Sequence, residues 1–317
     1  MCLSCTIKFY KSRIKIYRCN TYAKILKGGN LMKELKRVLV GLDVVEKSDN
    51  VLKRALSLAN EHKATLFIVH AVRTPWLEAP VYLDSKDIVI DKERIVESIE
   101  KKIKVLNREF KVPYFVFVKE GNAEDIILYE SKLNQTDMIV IGAHSKKKGR
   151  KSFLGTTAQK VAHQSHLPVL IVKNNVKNPY KKIIAPTDFQ IQSKQSIAFA
   201  KDVFPTAKIS TVHAFETIYM EGPYAMVGRD LSQYNDVAKS CAKNDLKEFM
   251  KDVSVKKGKV IDGELYTKET LINYIKEGSY DLVVMGSRGT VGLNALLGSV
   301  ATYILRETSS DVLVYVP

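Results

Sequence analysis

The chain repeats itself. Lys36-Arg37-Val38-Leu39-Val40-Gly41-Leu42-Asp43 returns as Lys181-Lys182-Ile183-Ile184-Ala185-Pro186-Thr187-Asp188, 145 residues on. Thr65-Leu66-Phe67-Ile68-Val69-His70-Ala71 returns in the run that ends Val212-His213-Ala214, 143 residues on. Asp137-Met138-Ile139-Val140-Ile141-Gly142 matches Asp281-Leu282-Val283-Val284-Met285-Gly286. Leu154-Gly155-Thr156 matches Leu297-Gly298-Ser299, and Pro168-Val169-Leu170-Ile171-Val172 matches Asp311-Val312-Leu313-Val314-Tyr315. Five landmarks in one order, 143 to 145 residues apart, mark a duplicated unit. The 317 residues suit two domains of roughly 150 residues, each able to bury its own core. The domains are expected at 32–175 and 180–317. The joint near 173–180 is short, polar and contains Pro179.

Within a copy, short β-branched runs alternate with helical stretches. The strands of copy one are expected at 38–42, 66–69, 115–118, 138–141 and 169–172. They are apolar throughout, as in a parallel sheet buried on both faces. Val51, Leu52, Ala55, Leu56, Leu58 and Ala59 form an apolar stripe at helical spacing, and Ile95, Ile99, Ile103 and Leu106 form another. Asn122 followed by Asp125 reads as an N-cap. In copy two the third strand is weaker, around 259–261, with Gly263 interrupting it. This alternation predicts a right-handed, doubly wound α/β sheet. The terminal strands 169–172 and 312–316 are apolar edges that invite pairing.

The net charge of +16 is uneven. Residues 1–31 hold seven cations and no acid, so the remainder carries a net +9. Three of the four cysteines, Cys2, Cys5 and Cys19, also lie there, which leaves Cys241 alone and no disulfide framework. A lone cysteine suits a reducing compartment. The segment lacks the apolar core of a secretory signal. Lys27-Gly28-Gly29-Asn30 back-translates to a stretch that can read AAAGGAGG, a ribosome-binding sequence, with Met32 as the start. Residues 1–31 are therefore read as a basic extension that need not be translated. A real tail that binds membrane or RNA is the alternative. No run of about 18 apolar residues occurs, so no transmembrane helix is expected.

Ligands of such sheets bind beyond the carboxyl ends of the strands, near the switch in strand order. Three features per copy fall there. Asp43 and Asp188 end strand one, and each reads either as a helix cap or as a hydrogen-bond acceptor for a ribose or base. His70-Ala71 and His213-Ala214 end strand two. The histidine reads as structural, donating to a neighbouring backbone carbonyl, and the small residue lets a purine approach the backbone. The third feature is a glycine-rich stretch after strand four. In copy two it runs from Gly286-Ser287-Arg288-Gly289 to Gly298-Ser299-Val300, and in copy one from Gly142-Ala143-His144-Ser145 to Gly155-Thr156. Glycines let backbone amides turn towards phosphate oxygens, and a helix start adds free amides and a positive pole. No Gly-Lys-Ser/Thr follows, so this is not a Walker loop. Lys146-Lys147-Lys148-Gly149-Arg150-Lys151 puts five cations into the copy-one loop. They read as a solvated loop or as an attractor of a triphosphate. A nucleic-acid partner is not expected, because interleaved aromatics and a recognised motif are missing.

On these residues, the stretch 32–317 resembles a tandem universal stress protein. Ile183-Ile184-Ala185-Pro186-Thr187-Asp188-Phe189 resembles the opening strand and adenosine-binding aspartate of that family. The stretch from Gly286 to Val300 resembles its ATP-phosphate loop: Gly, two residues, Gly, nine residues, Gly, then Ser or Thr. Copy one has Ser145 for the second glycine, and copy two has eight spacer residues. The resemblance implies two Rossmann-like domains akin to the adenine-nucleotide alpha hydrolases, packed as an intrachain pseudo-dimer, with a homodimer as a further option. It implies ATP, with or without Mg2+, as ligand. Asp43, Ala71, Gly142, Ser145, Gly155 and Thr156 then line one site. Asp188, Ala214, Gly286, Gly289, Gly298, Ser299 and Val300 line the other.

No catalytic constellation is evident: there is no His-Glu-x-x-His, no paired-cysteine metal spacing and no nucleophile elbow. The expectation is a cytoplasmic, non-enzymatic, nucleotide-binding stress or regulatory protein, with at most slow ATP hydrolysis. The alternative is a non-catalytic interaction module whose nucleotide sites have decayed. An adenylyl transferase would need a histidine-containing phosphate motif after strand one, and none is present.

Overall fold

A computed structural model describes residues 34–43, 49–72, 91–143, 154–174, 179–217, 232–263, 266–287 and 297–317. Residues 1–31, Ser145, Gly289 and the lysine-rich run at 146–151 lie outside them. The first copy comprises β1 (Arg37–Gly41), α1 (Asp49–His62), β2 (Thr65–Val72), α2 (Lys92–Phe110), β3 (Tyr114–Glu120), α3 (Ala123–Leu133), β4 (Met138–Gly142), α4 (Thr156–Gln164) and β5 (Val169–Val172). The second comprises β6 (Lys182–Pro186), α5 (Ile191–Val203), β7 (Lys208–Phe215), α6 (Ser232–Asp252), β8 (Lys257–Asp262), α7 (Thr267–Gly278), β9 (Leu282–Gly286), α8 (Ser299–Glu307) and β10 (Asp311–Tyr315).

All ten strands form one sheet in the order β3-β2-β1-β4-β5-β10-β9-β6-β7-β8. Each half is parallel and doubly wound, with its switch in order between the first and fourth strands of the copy. The halves meet where β5 and β10 pair antiparallel, with Val312 opposite Ile171 and Val314 opposite Val169. The carboxyl ends of the two sets of parallel strands therefore lie at opposite edges of the sheet. Apolar runs make this possible: every residue of β4 except Gly142, and all of β5, is buried. One core layer, with α1, α2 and the end of α5, covers one face; a second, with α3, α4, α7 and α8, covers the other. Each copy anchors its first strand in the same way. Asp137 Oδ2 accepts from the amides of Lys36 and Arg37, and Asp281 Oδ2 accepts from those of Lys181 and Lys182.

Three local expectations change. The third strand of copy two is six residues long, Lys257–Asp262, because Gly263 follows the strand instead of interrupting it and donates its amide to Phe215 O. Asn122 does sit at the cap of α3, but its side chain makes no capping bond and donates to Asp125 instead. The joint is not merely polar. Tyr180 is buried, and its hydroxyl donates to Asp311 Oδ2 at 2.5 Å. Asp311 Oδ1 accepts from the amides of Lys173 and Asn174. The Arg54 guanidinium lies over the Tyr180 ring, with its Nε 3.9 Å from Asp311 Oδ2. Lys173 Nζ donates to Leu305 O and Thr308 O, and burial pulls its ammonium down to about 8. These groups clasp the two copies at the β5–β10 seam.

Candidate functional site

The two copies build the ends of their first two strands identically. The amide of Leu42 donates to Val69 O, and that of Thr187 to Val212 O. His70 Nδ1 donates to Leu42 O and His213 Nδ1 to Thr187 O, both at 2.8 Å. A carbonyl can only accept, so each ring carries its proton on Nδ1. The histidines thus tie strand two to the residue just before Asp43 or Asp188. Ala71 and Ala214, the next residues, are half-buried.

Asp43 and Asp188 are both exposed. Asp188 Oδ1 accepts from the amide of Gln190 at 3.1 Å and from Ser193 Oγ at 2.9 Å, so it holds the start of α5. Among the described residues nothing bonds its second oxygen. Phe189 follows with a left-handed φ of 65° and stacks on the His213 ring, 4.2 Å between centroids. Burial is the main reason the His213 ring titrates below its ordinary value.

Gly286 ends β9 against the same loop. A Cβ there would lie 2.7 Å from Gln192 O and 2.8 Å from Gln192 C, so the first turn of α5 requires glycine at this position. Gly142 is less confined: its nearest neighbour would be a Val51 methyl at 3.0 Å. Asp188, Ala214 and Gly286 are thereby brought to one edge of the sheet. The helix after each glycine-rich stretch starts at the expected residues. Gly155 and Gly298 are the N-caps of α4 and α8, in extended conformation and without a side-chain cap. The first helical bonds run from Gln159 N to Gly155 O and from Thr302 N to Gly298 O. The amides of Thr156–Ala158 and of Ser299, Val300 and Ala301 precede them and have no intrahelical acceptor.

The copies differ at one point that the sequence reading missed. In copy one the amide of Gly155 donates to Ala143 O at 2.7 Å, closing the base of the loop. Among the described residues Gly298 makes no such bond to Ser287, the residue that matches Ala143. Ser287 is buried, and its Oγ has no partner. An unsatisfied buried hydroxyl costs about 1–3 kcal/mol. The replacement of Ala143 by Ser287 was the available signal. Among the described residues no group of three or more His, Cys, Asp or Glu side chains is placed to hold a metal ion. No helix of the described residues is long and apolar enough to cross a membrane.

A family model described as the universal stress protein family matches residues 34–173 and again residues 179–316. A universal stress protein of Methanocaldococcus jannaschii is 28% identical over 167 residues, 52% of this chain and 94% of its own. A universal stress protein A homologue of Coxiella burnetii is 26% identical over 144 residues, 45% of this chain and 97% of its own. Among solved structures, a protein of unknown function from Pseudomonas aeruginosa superposes with a TM-score of 0.66 at 17% identity. The match covers 90% of this chain and 94% of that one. A universal stress protein from Archaeoglobus fulgidus gives 0.59 at 17% identity, covering 89% and 98%.

Proposed function

The chain belongs to the universal stress protein family, with two such domains in tandem, and we propose on that footing that it binds an adenine nucleotide, ATP, at the carboxyl edge of copy two. The observation that carries this reading is the set of unpaired donors there. The Gly298 amide, the first-turn amides of α8 and the buried Ser287 hydroxyl face no acceptor among the described residues. Phosphate oxygens are acceptors only, so they suit such a set, and the helix pole adds about 0.3–1 kcal/mol. Asp188, with one oxygen free of described partners, accepts from the ribose. Ala214 leaves room for the base. Gly289 and copy one's Ser145 belong to the same loops by sequence. The ligand is ATP with or without Mg2+. With no catalytic constellation, the role is regulatory, in the stress response of the cytoplasm, rather than enzymatic. The second reading, an interaction module with decayed sites, is favoured by the eight-residue spacer of copy two.

Calorimetry with ATP tests this. Micromolar binding, roughly −8 kcal/mol, is expected for the full chain. Asp188→Ala should weaken it ten- to hundredfold, since a charge-assisted bond is worth about 1.5–3 kcal/mol. Asp43→Ala should leave it unchanged. Sensitivity to Asp43 alone would move the site to copy one, and absence of both heat and co-purified nucleotide would leave the interaction module.

A further inference from the structure

Among the described residues the sheet ends at β8, which pairs with β7 alone. Gly263 N points at Phe215 O in β7. By strand alternation the backbone groups of Lys259 and Ile261 also turn to β7, and those of Gly258, Val260 and Asp262 turn outward. A groove of about 720 Å3 runs along this free edge under α6. Met250, Val255 and Val260 give it an apolar floor, and Lys243, Lys247 and Lys251 line its α6 side.

Those three lysines continue a row that begins at Lys239, one every fourth residue, all exposed. Like charges at this spacing repel along a helix. Lys256 extends the row into the turn; Lys257 stands on the edge strand but faces away from α6, since the neighbouring Gly258 is the position that abuts Met250 of α6. Among the described residues none of these six side chains has an ion-pair partner. In copy one three lysines of α2 are paired, Lys92 with Glu120, Lys102 with Asp49 and Lys104 with Glu100. α2 has no such row of lysines at every fourth residue; α6 carries its row beside four acids of its own, Asp236, Asp245, Glu248 and Asp252, none of which lines the groove.

We propose that the β8 edge and the α6 lysine row form a docking groove for an extended, acidic segment of a partner protein, added to the sheet as an eleventh strand. Outward backbone groups at Gly258, Val260 and Asp262 supply the ladder bonds. Alternate apolar side chains of the segment enter the floor formed by Met250, Val255 and Val260. The acidic side chains between them point to the opposite face of the sheet, where Lys257 and Lys259 stand on β8, while the α6 lysines draw the segment in through their field. Edge lysines normally deter strand addition; here they deter neutral and basic strands and select acidic ones. A nucleic-acid backbone satisfies the charge but leaves the apolar floor unused, and among the described residues no aromatic side chain lines the groove for bases to stack on.

The test uses the full chain and a fluorescent peptide of alternating Glu and Val, with a Lys-Val peptide and a thymidine oligonucleotide of equal length as controls. Fluorescence anisotropy should show saturable binding of the Glu-Val peptide that weakens as salt is raised. The combined variant Lys243→Glu, Lys247→Glu, Lys251→Glu should weaken it at least about tenfold, by reversing charge at the rim. Val260→Pro should do likewise, since proline removes one outward amide yet is tolerated where the amide faces solvent. Three outcomes overturn the proposal: no binding of the Glu-Val peptide, unchanged affinity in the triple-lysine variant, or tighter binding of the oligonucleotide than of the peptide. Copy two's nucleotide site is untouched by these variants, so the ATP titration is read separately.

Discussion

A half-buried ring that already donates to a carbonyl resists a second proton. Burial lowers the His213 ring below its ordinary 6.5, while the bond to Thr187 and the carboxylates of Asp188 and Asp245 pull the other way. The unfolded chain therefore binds this proton before the folded one does, and stability falls as pH drops below 6.5. His163 and His166 are lowered too, again mainly by burial. The ceiling for one such group is about 1.4 kcal/mol per pH unit. Thermal melts between pH 7.5 and 5 should show a falling Tm, and His213→Gln should flatten part of that slope; an unaltered slope would remove His213 from the account. At this scale the sequence showed what a residue type wants more readily than whom it meets. The bonds from His70 and His213 to backbone carbonyls were legible, because an aromatic donor closing a buried strand has few other acceptors. Tyr180, Arg54 and Asp311 were not, because they lie far apart in the chain and Asp311 has no acidic counterpart in copy one.

Elements were legible to the extent that they stand on runs rather than on single residues. Continuous apolar strands and helical stripes placed β1 to β5 and α1 to α3 in order, with their ends within about four residues. β8 was under-read, because three of its six residues are Lys-Gly-Lys and an edge strand needs burial on only one side. The glycines after strand four were read as room for phosphate. In Gly286 the first demand is instead the approach of helix to strand, since Gln192 backbone fills the space a Cβ would take. Gly286→Ala should cost about 1–3 kcal/mol, the usual penalty for overpacking against atoms that cannot yield. Gly142→Ala should cost less than that, because its nearest neighbour is a Val51 methyl. Urea unfolding of the two variants compares them directly, and equal losses would contradict the assignment.

The whole molecule hangs on one antiparallel joint. β5 and β10 are buried along almost their whole length, and separating the halves would turn both into long apolar edges. Residues 32–175 alone should therefore associate or aggregate, as light scattering would show; a well-behaved monomer would mean that the joint is dispensable. The duplicated landmarks and the apolar terminal strands made this architecture readable in advance. What they could not supply was the asymmetry across the seam, since a comparison of repeats sees only what the copies share. Two identical subunits must satisfy every group at their interface with the same surface that presents it. A single chain is released from that rule. Asp311 sits on one side with Arg54, Lys173 and Tyr180 around it, and Pro168 stands in its place on the other. A pair of second halves would bury two carboxylates without those cations, and a pair of first halves would hold the cations without a carboxylate. The fusion therefore divides the partners between the halves: either half alone could still pair its apolar strand with a copy of itself, but only the two together match charge with countercharge at the seam.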